Sequence, residues 1–378
     1  MKKEMKPLKI IFFFTLLSLS TFSCAMDSTI TQISKPYLAL RTLDVRDKLH
    51  ALLQTANTAE CVTLSADLAF ITNQKVIDLI KAIASKKQGS VSLHLDADRH
   101  ENQHVCRELK DCKNITLKRG SQHGKRVLIA YKKTGEQTWH YSIYEGSYNP
   151  NNAQRCRRQN FEIGLITHDN HEYYKQHLAS HVEGMQEDAN GAHILPPTEL
   201  KCSTVYDTTL YKLTESLAQQ INPEKGGTLY LGTMGYGNTT LHAKLLVFCK
   251  QGGTVHMIVD WEFLTKVSTQ LLSELTQAGA HITVAKTNNQ KNMKGNFHRK
   301  CLVRLTDNRT VDLVVIQSEN FVNRATPVFN HASYHPNNPE LGQAIIAHHV
   351  YVANHTSSKT LAQVINDKST HYTDNDHH

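Results

Sequence analysis

Apolar positions along this chain alternate between two periods, and the order of the alternation is repeated. In the first part, 59–70 is a β-type run. It is followed by 74–86, where Val76, Ile77, Leu79, Ile80 and Ile83 recur at helical spacing. Residues 90–95 alternate like a strand and end in Asp96-Ala97-Asp98. A short helix is expected near 105–110, with strands at 115–118, 127–131 and 139–144. The second part predicts an amphipathic helix over 204–220, a strand over 228–234 and a helix over 239–250. Next come a strand over 254–259 ending in Asp260, and a helix over 267–278 stopped by Gly279. Strands over 281–285 and 311–316 complete it. Strands alternating with helices at this spacing predict an α/β protein. We expect two similar α-β-α lobes, each a mixed sheet flanked by helices and related by a pseudo-twofold axis.

Length fits that plan, since 378 residues can bury one large core or two modest ones. The segment 190–201 carries Pro196-Pro197 and is the natural boundary, which gives halves 26–195 and 196–366 and a polar tail at 367–378 expected to be disordered. With 40% hydrophobic and 20% charged residues the composition is that of an ordinary globular protein. A net charge of +8 favours an anionic partner without identifying one.

The first 25 residues read as a secretory signal. A basic start is followed by an apolar run at 10–22 too short to span a bilayer, then by Ser23-Cys24-Ala25. Cleavage after Ala25 is expected, with lipidation of Cys24 the weaker alternative, so the protein is expected to be secreted or held in the periplasm or cell envelope. No later stretch is long and apolar enough for a membrane helix. Export would leave seven cysteines in an oxidising compartment. They are Cys61, Cys106, Cys112, Cys156, Cys202, Cys249 and Cys301, an odd number with no C-x-x-C spacing, so a structural zinc site is not expected.

The candidate chemistry lies in two matched motifs. His123-Gly124-Lys125 is followed 24 residues after its histidine by Ser147-Tyr148-Asn149, and His298-Arg299-Lys300 is followed after 20 by Ser318-Glu319-Asn320. One H-x-K pair means little. Two with matched followers suggest a duplicated half-site. In an extended segment residues i and i+2 share a face, so each imidazole and its lysine can address one phosphate. Lys125 and Lys300 supply charge to the equatorial oxygens. Asn149, Asn320, Ser147 and Ser318 add hydrogen-bond donors, the kind of preorganised stabilisation that often dominates catalysis. One imidazole can form a covalent phosphohistidine while the other moves protons. A third pair, His242-Ala243-Lys244, falls within the predicted helix 239–250, lacks the follower, and is read as helix surface. Asp96, Asp98 and Asp260 are read as strand-end turn residues.

These motifs resemble the phospholipase D superfamily, named for its H-x-K-x4-D signature. The resemblance covers almost the whole mature chain and adds two later acids, Glu162 in Asn160-Phe161-Glu162 and Glu340 in Asn338-Pro339-Glu340-Leu341-Gly342. It implies a site at the seam between the halves, with Glu162 and Glu340 orienting the histidines. His123 would be the nucleophile and His298 the acid/base. No cofactor and no metal is called for, and one monomer would suffice for a complete site. The chain departs from the signature where the family's Asp would fall, at Ala130 and Leu305, and the second turn starts with Gln317 in place of Gly.

The resemblance implies an exported phosphodiesterase, with phospholipid, hydrolysed or transphosphatidylated, as first substrate and peripheral membrane contact as a corollary. The alternatives are an exported nuclease and an inactive relative that binds anions or lipid. A lipase would expose Phe321, Val322, Val328 and Phe329 at the rim. A nuclease would line it with Arg155, Arg157, Arg158, Lys291, Lys294 and Arg299.

Overall fold

A computed structural model describes residues 37–150, 160–186, 204–208, 213–222, 226–285, 297–323, 330–354 and 358–366. The described residues fall in one compact unit spanning Ile33–His378. Their strands form two mixed sheets. The first contains β1 (Tyr37–Ala39), β2 (Cys61–Leu68), β3 (Gln88–Asp96), β4 (Ile115–Gly120), β5 (Lys125–Lys132), β6 (His140–Gly146) and β7 (Gly164–His168). The second contains β8 (Thr204–Thr208), β9 (Thr228–Thr233), β10 (Thr254–Asp260), β11 (His281–Ala285), β12 (Cys301–Leu305), β13 (Val311–Gln317), β14 (Asn330–Pro336) and β15 (Lys359–Thr360).

The orders are β1-β7-β6-β5-β2-β3-β4 and β15-β11-β10-β9-β12-β13-β14-β8. Once the added edge strand β15 is set aside, the two orders match strand for strand. In each sheet three strands run parallel (β2, β3, β4 and β9, β10, β11), and the rest are antiparallel. The α/β two-lobe arrangement expected from the alternation is therefore present.

The helices duplicate as well. The edge strands β1 and β8 lead into α1 (Thr42–Thr58) and α5 (Leu213–Gln219). The parallel strands are joined by α2 (Gln74–Ala84) and α3 (Asn102–Leu109) in one lobe, and by α6 (Thr239–Lys250) and α7 (Lys266–Gln277) in the other. After β7 comes α4 (His171–Gln186), and after β14 comes α8 (Pro339–Ala353), with α9 (Leu361–Asn366) near the end. Local sequence explains several boundaries. Asn73 caps α2 through the Lys75 amide, and Asn238 caps α6 through the Leu241 amide. A Thr265/Ser268 capping box starts α7. Gly279, at φ 101°, ends it with the paired bonds Gly279 N–H to Thr276 and Ala280 N–H to Leu275, a left-handed turn that glycine adopts without cost.

Two expectations need correction. The helix expected over 204–220 is a strand followed by a short helix. Residues 204–208, TVYDT, are rich in β-branched and aromatic types, and they pair antiparallel with β14, which offers an open edge. No element was expected over 42–58, yet Val45, Leu49, Leu52, Leu53 and Ala56 are buried at helical spacing in α1.

Each sheet has one face packed on its crossover helices. A third apolar cluster crosses the seam, where Ile163 and Leu165 beside and in β7 pack with Cys301, Val303, Val314 and Ile316 of the second sheet and with Leu341 and Ile345 of α8. The described cysteines, Cys61, Cys106, Cys112, Cys249 and Cys301, are free thiols. The leader at 1–25, the Pro196-Pro197 boundary, the tail at 367–378, Cys156 and Cys202 lie outside the described residues.

Candidate active site

Both H-x-K segments approach the start of a strand at the same place in their sheets. Lys125 is the first residue of β5, and Lys300 immediately precedes β12. Each lysine is buried, and each ammonium donates to the carbonyl of its own histidine, Lys300 Nζ at 2.9 Å from the His298 oxygen. The i, i+2 geometry thus keeps each ammonium beside its imidazole. Asp96 and Asp260, at the ends of β3 and β10, lie within electrostatic reach of Lys125 and Lys300 respectively. As expected of turn residues, the two carboxylates accept from backbone amides, Asp96 from Asp98 at 3.1 Å and Asp260 from Glu262 at 2.8 Å. Burial pushes the Asp260 carboxyl up to about 7.

The serines occupy equivalent places. The Ser147 amide donates to the Ile163 carbonyl, and the Ser318 amide donates to the His331 carbonyl. The residue before each of those carbonyls, Glu162 and Asn330, reaches across the seam. His298 Nδ1 donates to Glu162 Oε2 at 2.9 Å, 136 residues away. His123 Nδ1 bonds Asn330 Oδ1 at 3.2 Å, 207 residues away. Each serine hydroxyl donates to the same group, Ser147 to Glu162 and Ser318 to Asn330, the latter at 3.0 Å. Each lobe therefore supplies the residue that orients the other lobe's histidine.

The electrostatics follow from this crossing. Burial alone would raise the Glu162 carboxyl. The charge and hydrogen bond of His298, the Ser147 hydroxyl and Lys300 outweigh it and hold the carboxyl down to about 2. His298 lies below its ordinary value, chiefly through burial and then Lys300, with Glu162 opposing and Lys125 of the other lobe adding to the depression. A neutral ring with Nδ1 donating leaves Nε2 free to attack.

Asn149 and Asn320 are 7% and 5% exposed, and among the described residues neither side-chain oxygen has a hydrogen-bond partner. Buried amides are rarely left this way. The two stand at equivalent places, each two residues past a site serine. No group of three or more His, Cys, Asp or Glu suited to a metal is found among the described residues.

Several assignments change. Glu340 lies exposed in the first turn of α8, and the orienting position expected of it belongs to Asn330. The signal lay in the pair Phe161-Glu162-Ile163-Gly164 and Phe329-Asn330-His331-Ala332, a Phe followed three residues later by a small residue where β7 and β14 begin. Arg299 does not line a rim. It is 1% exposed, and its guanidinium bonds the carbonyls of Glu162 and Leu40 at 2.8 and 2.9 Å, which ties the seam together. Phe321 is fully buried in the second lobe's core, and Val322 is half-buried. Arg155, Arg157, Arg158, Lys291, Lys294, Val328 and Phe329 lie outside the described residues. His242 is buried, not surface. Its ring bonds Glu274 at 3.0 Å and Tyr236 at 3.1 Å, while Lys244 points outward, as helical spacing requires.

Sequence reading missed a difference between the lobes. In the first, His94, Asp67, Arg126 and Glu145 form a buried row of ionisable side chains across four paired strands. At the equivalent register the second lobe has Ile258, Gly232, Cys301 and Ile316. Asp67 binds the Arg126 guanidinium and accepts from His181 at 2.9 Å; burial works against its ionisation, but the Arg126 guanidinium and the hydrogen bonds it accepts hold it well below the usual carboxylate range. Glu145 accepts from Tyr173 at 2.6 Å, and burial pushes it up to about 7.

The matched two-lobe fold, expected from the motifs' resemblance to the phospholipase D superfamily, is one that solved structures share. No family model matches the sequence, and no curated protein does. Solved structures do. Polyphosphate kinase from Porphyromonas gingivalis superposes with a TM-score of 0.61 at 16% identity, covering 86% of this chain and 48% of the kinase. The chain thus spans about half of that protein's length. Phosphatidylserine synthase from Haemophilus influenzae superposes with a TM-score of 0.57 at 9% identity, covering 86% and 87%. Nuc, a phospholipase D family member from Salmonella typhimurium, has a TM-score of 0.34 at 16% identity, over 42% of this chain and 97% of its own.

Proposed function

We propose that the chain is an exported phosphodiesterase that works through a phosphohistidine, with phospholipid as the substrate to test first. The observation that carries this reading is the reciprocal crossing of the seam, Glu162 to His298 and Asn330 to His123. It presents two imidazoles backed on Nδ1 to one anionic group, flanked by Lys125 and Lys300 and by the side-chain amides of Asn149 and Asn320. Such a site suits in-line displacement at phosphorus. One ring attacks, the other protonates the leaving oxygen and then deprotonates the acceptor, and the lysines and amides hold the equatorial oxygens. The lipid choice rests on the expected leader at 1–25. It no longer draws on Phe321, which is core, and a nuclease rim likewise loses Arg299.

The test is turnover by the full chain on mixed phospholipid vesicles and on single-stranded DNA, side by side, with His298→Ala as control. Head-group release that vanishes in the variant supports the lipase reading. DNA cleavage that vanishes replaces it with a nuclease. Silence on both, or activity unaffected by the substitution, overturns the assignment of the site.

A further inference from the structure

The two half-sites share a backbone but not a chemistry. Ser147 and Ser318 fix the equivalence of Glu162 and Asn330 through their matching bonds to the Ile163 and His331 carbonyls. At that one position a carboxylate stands in the first lobe and a neutral amide in the second. We propose that this difference divides the labour: His298, backed by Glu162, is the nucleophile, and His123, backed by Asn330, is the acid/base, with Glu162 and Asn330 as positioning residues. The inference rests on the two-histidine phosphodiester reading above and reverses the order that family resemblance implies.

The physical reason is where charge develops. When His298 Nε2 gives its lone pair to phosphorus, an N–P bond forms and the ring becomes cationic. The P–O bond to the leaving group breaks, its electron pair goes to the leaving oxygen, and His123 Nε2–H supplies the proton. Water then gives a proton to His123, its oxygen attacks phosphorus, and the N–P pair returns to Nε2. A carboxylate 2.9 Å from Nδ1 stabilises the cationic phosphohistidine as it appears. The acid has the opposite need, since it must surrender its proton. An imidazolium held by an amide dipole at 3.2 Å does so more readily than one held by a full negative charge. The groups facing His298 agree: Lys300 beside it and Lys125 opposite favour the unprotonated ring that attack requires.

The probe is bis(p-nitrophenyl) phosphate, whose leaving group needs no acid. His123→Ala should release one equivalent of nitrophenolate per enzyme and then stall, and alkaline digestion should place the retained phosphoryl group on residue 298. His298→Ala should give no burst. The pH profile of the burst tests the positioning residues separately from their structural contribution. Its acid limb reports the ring that attacks, so Glu162→Gln should move that limb to lower pH, and Asn330→Asp should leave it in place. A burst in His298→Ala with the label on residue 123, or a limb that follows Asn330→Asp instead, overturns the role assignment alone. A wild-type protein that releases no nitrophenolate overturns the phosphodiesterase reading, and the role assignment falls with it.

Discussion

Removing the Asn149 side chain should separate catalysis from stability. The residue is 7% exposed and its side-chain oxygen has no partner among the described residues. A buried polar group left without a hydrogen bond costs about 1–3 kcal/mol of folding free energy. Asn149→Ala relieves that cost while losing a comparable amount of packing, so its net effect on stability should stay within about 1 kcal/mol. If the amide serves the phosphoryl oxygens, its loss should cost about 2.7–4 kcal/mol in the transition state, a 10²–10³-fold fall in kcat. Asn320→Ala should behave alike, since it is about as buried and its oxygen likewise has no partner among the described residues. Asn149→Asp, which turns a donor into a like charge facing an anion, should be worse than alanine. The assay pairs kcat on the active substrate with the urea midpoint of each variant. Wild-type kcat in Asn149→Ala, or a stability loss above about 2 kcal/mol in step with activity, would refute the argument and make the amide structural.

Acid should unfold the protein early. Burial holds His331 down to about 3, His335 to about 4 and His349 to about 3, and His177 well below its ordinary value. Each takes up a proton in the unfolded chain near 6.5 but not in the folded one, so the stability they confer is complete above 6.5 and is lost as pH falls toward 3–4. Each unmatched proton is worth about 1.4 kcal/mol per pH unit. Glu145 and Asp260, both raised to about 7, act oppositely, since their stability is complete at low pH and is lost as pH rises through 7. The four histidines outnumber them, so the Tm should fall between pH 6.5 and 5, and a flat profile would count against buried neutral histidines. Asp67→Ala leaves the Arg126 guanidinium, fully buried, without its carboxylate, and should cost about 3–5 kcal/mol. Replacing both, as Asp67→Ala with Arg126→Met, should cost less than the sum of the single changes. Additive losses in urea unfolding would show that the pair is not coupled.

The sequence by itself determined what depends on near neighbours. Helix 239–250, the stop at Gly279, the turn carboxylates Asp96 and Asp260, and the pairing of each imidazole with a lysine two residues on are all set by periodicity and short-range hydrogen bonds, which a linear reading sees. Repetition of that local order was enough to reveal two lobes. Tertiary structure decided what depends on direction and distance. Nothing local says that Glu162 crosses 136 residues to His298, or that Asn330 rather than Glu340 reaches His123, because the choice is made where β7 and β14 meet the opposite lobe. The inward turn of Phe321 and Arg299, the burial of His242 and the pairing of residues 204–208 with β14 were settled in the same way, by packing and by the need to satisfy an open sheet edge. Duplication is written in the chain, whereas the inequality of the two half-sites arises only where the lobes meet.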